Sequence, residues 1–255
     1  MTIKLNDKGE NVKALQTFLK IKSDGDFGKK TEEAVKKWQQ SNGLVADGIA
    51  GPKTLNAMKK VGLKITDSSI SSPSPIVPFP AKPSFPPLTT KAERDKLFGK
   101  IEYVANPSKE NPEGIRITNG FETNNIVRVE LPQLAKATNG KYTAMRFHKK
   151  CVFQLKGFFQ ELEEKGLLDR IISYGGAYNA RFVRGKSKSL SNHAYGTAFD
   201  INVAWNPLNS EPAKFGEKGC VYELVPIAHK WGFYWGGHFS RLDGMHFEIA
   251  RIIEQ

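Results

Sequence analysis

The sequence is poor in cysteine and has no long hydrophobic run, and each absence excludes a class of protein. Its 255 residues include two cysteines, Cys151 and Cys220, which lie far apart and form no C-x-x-C pair. A zinc site built from thiolates needs more cysteines than this, so that kind of site is excluded. No apolar stretch approaches the roughly 20 residues that a membrane-spanning helix needs. We therefore expect no membrane span and no thiolate metal site.

The start of the chain also lacks the features of a secretory signal. Residues Met1–Asp7 contain neither an apolar core region nor a small-residue cleavage site. This predicts synthesis in the cytoplasm without a signal peptide, so that another route must release the protein if it acts elsewhere.

Acidic residues are outnumbered, with 26 Asp+Glu against 38 Lys+Arg, which gives a net charge of +12. Residues 1–64 hold 13 basic and 7 acidic residues, and residues 91–255 hold 24 and 18. An excess spread this evenly favours polyanions in general, whether nucleic acid, anionic lipid or an acidic envelope polymer. No recognisable nucleic-acid-binding motif accompanies it, so we do not expect a nucleic-acid partner.

Proline is concentrated in one stretch, residues 65–90, which holds seven of the 14 prolines and only two charged residues. Proline removes backbone donors and favours extended conformations, so the stretch predicts a semi-rigid spacer. The chain is thereby divided into domains at 1–64 and 91–255. The second half of the spacer, with Phe79, Phe85 and Leu88, is apolar enough to lie along the following domain instead.

The first segment contains an internal repeat. Residues Asp24–Thr31 and Asp47–Thr54 share the pattern D-G-x-x-G-x-x-T, in which glycines allow positive φ and the turn opens a helix. Apolar side chains recur at helical spacing between these turns. The pattern predicts three short helices of about ten residues each, the third beginning at Pro52.

Over residues 3–60 this pattern closely resembles the peptidoglycan-binding domain found at the ends of many wall hydrolases. Most matching residues are helix faces and turn glycines, so the binding role is implied by the resemblance and not by the residues themselves. The matching positions are Leu5, Gly9, Val12, Leu15, Gln16, Leu19, Asp24, Gly25, Phe27, Gly28, Thr31, Ala34, Val35, Trp38, Gln39, Gly43, Leu44, Asp47, Gly48, Ile49, Gly51, Thr54 and Leu55.

The third segment mixes helix and strand patterns. Residues 152–162 carry apolar side chains at helical spacing, and Gly166 follows as a cap. Residues 200–203 and 245–249 alternate polar and apolar side chains, which predicts a strand at each. We expect an α+β protein, with a three-helix N-terminal bundle and a C-terminal domain in which helices pack on a small antiparallel sheet.

Two stretches carry the candidate chemistry, SNHAYGTAFD at 191–200 and DGMHFE at 243–248. They place two imidazoles and two or three carboxylates on the polar faces of predicted strands. Zinc is commonly held by three such ligands, with a fourth position left open. A non-haem iron triad uses similar ligands, but its first histidine and carboxylate are almost adjacent. Six residues separate His193 from Asp200, which disfavours iron.

These stretches resemble the family of zinc D-alanyl-D-alanine carboxypeptidases and L-alanyl-D-glutamate endopeptidases. The family pattern is S-x-H-x-x-G-x-A-x-D, followed downstream by a carboxylate three residues before a second histidine. The lead-in at 175–185 and the triplet at 235–237 match as well, so the resemblance spans most of residues 90–250. The matching fixed positions are Ser191, His193, Gly196, Ala198, Asp200, Asp243 and His246.

The resemblance implies a role for each polar position. It makes His193, Asp200 and His246 the zinc ligands, and it places Asp243 as the general base. An arginine upstream of the first ligand binds substrate oxygen in this family; Arg181 is the first choice and Arg184 the alternative.

Glu248 shares a strand face with His246. It is expected either to hydrogen-bond this ligand or to form a plain surface salt bridge.

The implied function is that of a zinc-dependent peptidase that hydrolyses an amide bond in the stem peptide of bacterial peptidoglycan. Aspartate at the base position points towards L-alanyl-D-glutamate endopeptidase activity, and the missing signal peptide towards a phage endolysin, expected to be a monomer. The alternatives are a D-alanyl-D-alanine carboxypeptidase of bacterial wall remodelling and a wall-binding protein with an inactive peptidase domain. The intact metal and base positions argue against the latter.

Overall fold

The chain forms two compact units, Met1–Ile76 and Val77–Gln255, in a computed structural model that describes residues 2–65 and 78–253. Residues 66–77 of the predicted proline-rich spacer lie outside the described residues. Within the two described ranges, no helix is long and apolar enough to cross a membrane.

The first unit contains three helices, α1 (Glu10–Phe18), α2 (Lys29–Ser41) and α3 (Pro52–Lys60). Their apolar faces meet in a core with Val12, Leu15, Val35 and Met58. Each repeat turn precedes a helix, and Pro52 occupies the first turn of α3, where its missing N–H costs nothing.

The second unit mixes helices and strands, which confirms the α+β class. Its helices are α4 (Lys91–Phe98), α5 (Phe121–Asn125), α6 (Pro132–Ala137), α7 (Val152–Glu164), α8 (Asn192–Tyr195) and α9 (Val225–Lys230). Its strands are β1 (Tyr103–Ala105), β2 (Ile115–Ile117), β3 (Ile126–Glu130), β4 (Ala144–His148), β5 (Tyr174–Gly176), β6 (Ala198–Ile201), β7 (Phe233–Trp235) and β8 (His246–Ile249).

The strands pair as two hairpins, β1–β2 and β3–β4, and one four-stranded sheet in the order β5-β6-β8-β7. All pairs in that sheet are antiparallel, and Asp200 of β6 lies directly opposite His246 of β8. Behind the sheet, the phenyl rings of Phe199 and Phe247 stack with centroids 5.5 Å apart and contact Phe158 of α7. The sheet is thus apolar on one face and polar on the other, which is where the candidate ligands lie.

The predicted strand at 200–203 is wrong at its end. Strand β6 stops at Ile201, and residues Val203–Trp205 form a 3₁₀ turn. The reason is Asn202, which adopts a left-handed φ of 55° while its side-chain oxygen accepts hydrogen bonds from the backbone N–H groups of Ile172 and Ser173. A buried asparagine that bonds four backbone groups outweighs the alternation pattern.

Residues 78–90 run along the second unit without regular structure; we call them the strap. The carbonyl of Pro80 accepts a hydrogen bond from His238 Nε2 at 2.8 Å, and the ring of Phe79 lies 5.4 Å from that of Trp235. The guanidinium of Arg251 lies over the ring of Phe85. This part of the predicted spacer therefore packs on the second unit.

Candidate metal centre

Three potential ligand atoms converge on the polar face of the four-stranded sheet. His193 Nε2 lies 3.2 Å from His246 Nδ1 and 3.3 Å from Asp200 Oδ1, and the last two atoms are 3.0 Å apart. The two histidines and Asp200 are the one group of three or more metal-ligating side chains found among the described residues.

The separations of these atoms fit a zinc ion. Ligands bound tetrahedrally at zinc–nitrogen and zinc–oxygen distances near 2.0–2.1 Å lie about 3.3–3.4 Å apart. With both imidazoles neutral, each of the three atoms would direct a lone pair towards the other two, and a proton or a metal ion between them would relieve the repulsion. Geometry and chemistry of the donor set therefore both suit a divalent ion.

Hydrogen bonds behind the two imidazoles fix which nitrogen faces the site. His193 Nδ1–H donates to the carbonyl of Ala177 at 2.5 Å, and His246 Nε2–H donates to Glu248 at 2.9 Å. Glu248 is 4% exposed and also accepts from the amide of Asn192, so it is no surface salt bridge. Such buried acceptors behind a ligand orient the ring and increase its basicity.

The motif around His193 has a local structural reason at each fixed position. The Ser191 hydroxyl caps α8 by accepting from His193 N–H, and Gly196 ends that helix at a φ of 65°. This positive φ favours glycine, and a Cβ there would also lie 2.6 Å from Ile126 Cδ1 and 3.2 Å from the backbone nitrogen of His148. Buried Ala198 then begins β6, which carries Asp200 to the point opposite His246.

Charge coupling at the site shifts two pKa values strongly. Burial would raise the pKa of Asp200, but His193 and His246 bring it well below its usual range. Burial would lower the pKa of His246, but hydrogen bonds to Asp200 and Glu248 raise it to about 10. In the absence of a metal ion, His246 thus holds a proton beside Asp200. A metal ion that binds these ligands would have to displace this proton.

Asp243 lines a cleft of about 470 Å³ that also opens onto His193 and His246. Burial raises the pKa of its carboxyl, His246 lowers it and Asp200 raises it further, with a net upward shift. Its Oδ1 is buried and has no hydrogen-bond partner among the described residues. A carboxylate with an uncommitted oxygen and a raised pKa is suited to accepting a proton.

The two candidate arginines differ in their environment. Arg184 is bound to Glu113 by an ion pair of 2.8 Å, and Arg241 donates to its carbonyl. Arg181 is partly buried, makes a 3.0 Å hydrogen bond to the carbonyl of Phe182, and its buried Nε has no partner within the described ranges. The structure therefore leaves Arg181 freer to bind a substrate oxygen.

One wall of the cleft was not predicted from the sequence. Pro87, Leu88 and Thr89 of the strap line it, as does Arg94 of α4, 99 residues before His193 in the sequence. The Thr90–Glu93 capping box that begins α4 is visible in the sequence, but the docking of the helix beside the metal ligands is not.

The second unit is thus an α+β domain with a donor set suited to a divalent metal ion, and comparison with known proteins shows what the two units of the chain are similar to. Residues 184–249 match the family model described as D-alanyl-D-alanine carboxypeptidase, and residues 8–58 match that of a peptidoglycan binding domain. Both resemblances drawn from the sequence are thereby confirmed.

Three known proteins are similar in sequence to parts of the chain. The zinc D-Ala-D-Ala carboxypeptidase of Streptomyces albus G is 41% identical over 63 residues, which are 22% of this chain and 25% of that protein. The N-acetylmuramoyl-L-alanine amidase CwlL of Bacillus licheniformis is 33% identical over 87 residues, or 31% and 24%. The crystal structure of Burkholderia AP3 phage endolysin shares 41% identity over 23% of this chain and 24% of that one, with a TM-score of 0.23. The chain thus spans about a quarter of each relative.

Proposed function

We propose that the protein is a zinc-dependent peptidoglycan peptidase, specifically an L-alanyl-D-glutamate endopeptidase, which its first unit holds on the bacterial wall. The observation that carries the proposal is the convergence of His193 Nε2, Asp200 Oδ1 and His246 Nδ1 on one point beside a cleft that contains Asp243. The family matches of both units support the substrate class.

In this proposal, His193, Asp200 and His246 would hold zinc, which when bound would polarise the scissile carbonyl and acidify water. Asp243 accepts the proton of the attacking water at its uncommitted Oδ1 and returns it to the leaving amine. Arg181 holds the carbonyl or carboxylate oxygen of the substrate by charge-assisted hydrogen bonds. Glu248 and the carbonyl of Ala177 keep the two imidazoles in the ligating orientation.

Mass spectrometry of fragments released from purified peptidoglycan tests the bond specificity. An endopeptidase cut leaves a free L-alanine carboxyl end and a new D-glutamate amino end. A cut by a D-alanyl-D-alanine carboxypeptidase, the second candidate, releases a terminal D-alanine; it is favoured by the description of the family that residues 184–249 match. Intact peptides after incubation with the zinc-loaded protein would overturn both.

Elemental analysis tests the metal. We expect one zinc per chain, loss of zinc and of turnover in His193→Ala, and reversible inactivation by a chelator. Stoichiometric zinc in His193→Ala would contradict the assignment of the ligands, because removal of one of three protein ligands weakens binding strongly.

A fragment of residues 1–64 tests the binding to the wall. We expect it to sediment with insoluble peptidoglycan without cleaving it. These residues carry a surplus of positive charge, so the assay is run above physiological salt, where surface attraction is screened. A fragment that stays in solution under those conditions would show that the first unit does not target the wall. The setting that we propose for a peptidase retained in this way is wall lysis, as by a phage endolysin.

A further inference from the structure

Unsatisfied polar atoms are concentrated in the cleft. Six buried side-chain atoms in the described ranges have no hydrogen-bond partner, and four of them belong to residues that line this cleft. Buried polar groups in proteins almost always have partners, so a cluster of exceptions marks a place where a ligand supplies them. The four atoms are Arg94 Nε, Arg181 Nε, His238 Nδ1 and Asp243 Oδ1.

Arg94 is the unexpected member of this group. Arg94 is 6% exposed, yet none of the ion pairs of the described residues includes it. The carboxylate of neighbouring Glu93 interacts electrostatically with Arg94, but it is exposed and bonds the backbone N–H groups of Thr89 and Thr90. Its polar contacts are a long hydrogen bond of 3.4 Å to Asn192 Oδ1 and a cation–π contact with the ring of Tyr195, 5.6 Å away. Other arginines of this unit that are much more exposed, such as Arg128 and Arg170, do have carboxylate partners.

A buried guanidinium without an anion is costly, because its charge is removed from water without compensation. The neighbouring cleft residues do not supply a directly bonded anion. Glu248 accepts a hydrogen bond from the side-chain amide of Asn192, whose oxygen is the group that Arg94 contacts, and the same Oε2 atom accepts from His246. A carboxylate bound in the cleft would give Arg94 the direct anionic partner that these contacts do not.

We propose that Arg94 binds a carboxylate of the stem peptide, at a subsite between the strap and the metal ligands and separate from Arg181. The inference rests on the proposed function and names the part of the substrate that this wall of the cleft recognises. The capping box fixes the first turn of α4, where Thr90 accepts from Glu93 N–H and Glu93 accepts from Thr90 N–H at 2.8 Å. The guanidinium of Arg94 in that turn is positioned by Asn192 and the ring of Tyr195. A planar guanidinium held in this way suits a bidentate pair with a carboxylate.

Kinetics of the full-length, zinc-loaded protein with synthetic stem peptides test the proposal. One peptide keeps all its carboxylates; in each of the others a single carboxylate, either the C-terminal one or an internal one, is converted to a carboxamide. Arg94→Gln is expected to lower kcat/KM for the unmodified peptide about 10- to 100-fold, mainly through KM, as loss of a charge-assisted hydrogen bond predicts. With one of the amidated peptides the variant and the wild type should be alike, and that peptide identifies the carboxylate.

Two further variants complete the design. Arg94→Lys keeps the charge without the planar fork and should show an intermediate loss, which also provides a test if the glutamine variant folds poorly. Arg128→Gln is the matched control, since Arg128 is exposed and paired with Glu130 on β3. It should match the wild type with every peptide.

Three results would overturn the proposal. Equal losses for all peptides, or loss of zinc, would show that Arg94 acts through Asn192 and Glu248 on the ligands. Unchanged kinetics in Arg94→Gln would show that it binds nothing. If the wild type cleaves neither the peptides nor purified peptidoglycan, the proposed function itself is overturned. This outcome is read from the wild type alone, whereas the other results come from comparing the variants with it.

Discussion

Asp243 is the residue at which activity and metal binding should separate. It lies three residues before His246, but its Oδ1 is uncommitted while His246 faces the other ligands. Asp243→Asn keeps the shape and cannot accept a proton at neutral pH, so we expect full zinc occupancy and loss of nearly all turnover. A general base contributes roughly 10²–10⁴-fold in rate. Asp243→Glu should keep partial activity, because glutamate also offers a carboxylate that can accept the proton.

Parallel elemental analysis and peptide cleavage measurements check this prediction. Loss of zinc in Asp243→Asn would move Asp243 into the coordination sphere. Wild-type turnover would place the base elsewhere, with Glu248 as the next residue to substitute.

His148 provides a pH-dependent contribution to stability away from the metal ligands. Its buried ring donates from Nε2 to the carbonyl of Phe98 at 2.9 Å and accepts at Nδ1 from Lys150 N–H. Burial lowers its pKa from 6.5 to about 4; the bond to Phe98 opposes this, and the charges of Lys150 and Lys149 add to it. Because the folded pKa is the lower one, the stabilisation is complete above pH 6.5 and is lost as the pH falls towards 4.

Urea denaturation between pH 7 and pH 4 should therefore show a falling free energy of unfolding for the second unit, of which His148 accounts for about 2–3 kcal/mol. His148→Gln keeps a donor for Phe98 but does not titrate, so its curve should fall less steeply. His229, whose pKa burial also lowers to about 4, accounts for a further part of the slope. Parallel curves for the wild type and His148→Gln would contradict the assignment.

Individual residues differed in how far the sequence could predict them. The convergence of His193, Asp200 and His246 was expected from the resemblance of the two motifs to the peptidase family, and the structure shows a helix cap, a glycine turn and two paired strands that bring it about. Glu248 was left between two roles, and only its burial beside Asn192 decides for the hydrogen bond to His246. Arg94 could not be placed, because its contact with the cleft depends on how α4 packs across nearly a hundred residues of sequence.

At the scale of elements, the sequence repeat in the first unit is also a repeat of hydrogen bonds. Gln16 Nε2 donates to Asp24 Oδ1, the carbonyl of Asp26 and Thr31 Oγ1, and its Oε1 accepts from Gly25 N–H. Gln39 makes the same four contacts 23 residues later, with the D-G turn and threonine of the second repeat. Each glutamine thus ties a helix to the turn that opens the next one.

Substitution of either glutamine should destabilise the first unit by about 2–4 kcal/mol, because several buried donors and acceptors lose their partner at once. Gln40→Ala is the matched control, since Gln40 is the next residue of α2 and is exposed. Denaturation of residues 1–64 with Gln16→Ala, Gln39→Ala and Gln40→Ala measures the three effects. A loss in Gln40→Ala as large as in Gln39→Ala would show that the buried network is not the cause.

Helices and strands were predicted well where the spacing of apolar side chains on one face determines the element. They were predicted poorly where a side chain forms hydrogen bonds with the backbone. Helix α7 follows the apolar spacing of residues 152–162, and Gly166 follows it at a φ of 68°. The strand expected to reach Val203 instead ends one residue after Asp200, since Asn202 is used to tie β6 to the loop before β5. A polar residue in an alternating pattern indicates an outward face only when its side chain has no such backbone partners.

At the scale of the molecule, the proline-rich composition of residues 65–90 indicated a spacer whose second half was apolar enough to lie along the following domain. The strap, residues 78–90, belongs to the second unit by its contacts. It contributes Phe79 to an aromatic cluster with Tyr222, Trp235 and His238, and its last residues line the cleft. The independence of the domain at 91–255 that composition suggested thus remains a prediction, and the contacts of the strap argue for a longer fragment.

Two fragments of the chain compare these boundaries directly, residues 78–255 and residues 91–255. The shorter one loses the contacts of Phe79 and Phe85, the hydrogen bond from His238 to Pro80, and Thr90 itself, whose capping box with Glu93 begins α4. We expect it to be less stable by about 2–4 kcal/mol, from the lost aromatic packing and hydrogen bond. Because Pro87, Leu88 and Thr89 line the cleft, it should also bind substrate more weakly.

Thermal denaturation measures the loss of stability, and peptide cleavage measures the weaker binding of substrate. Zinc content is the control, since none of the three metal ligands contacts the strap through a hydrogen bond in the described ranges. Equal melting temperatures and equal KM values for the two fragments would show that the strap is part of the spacer and not of the folded second unit.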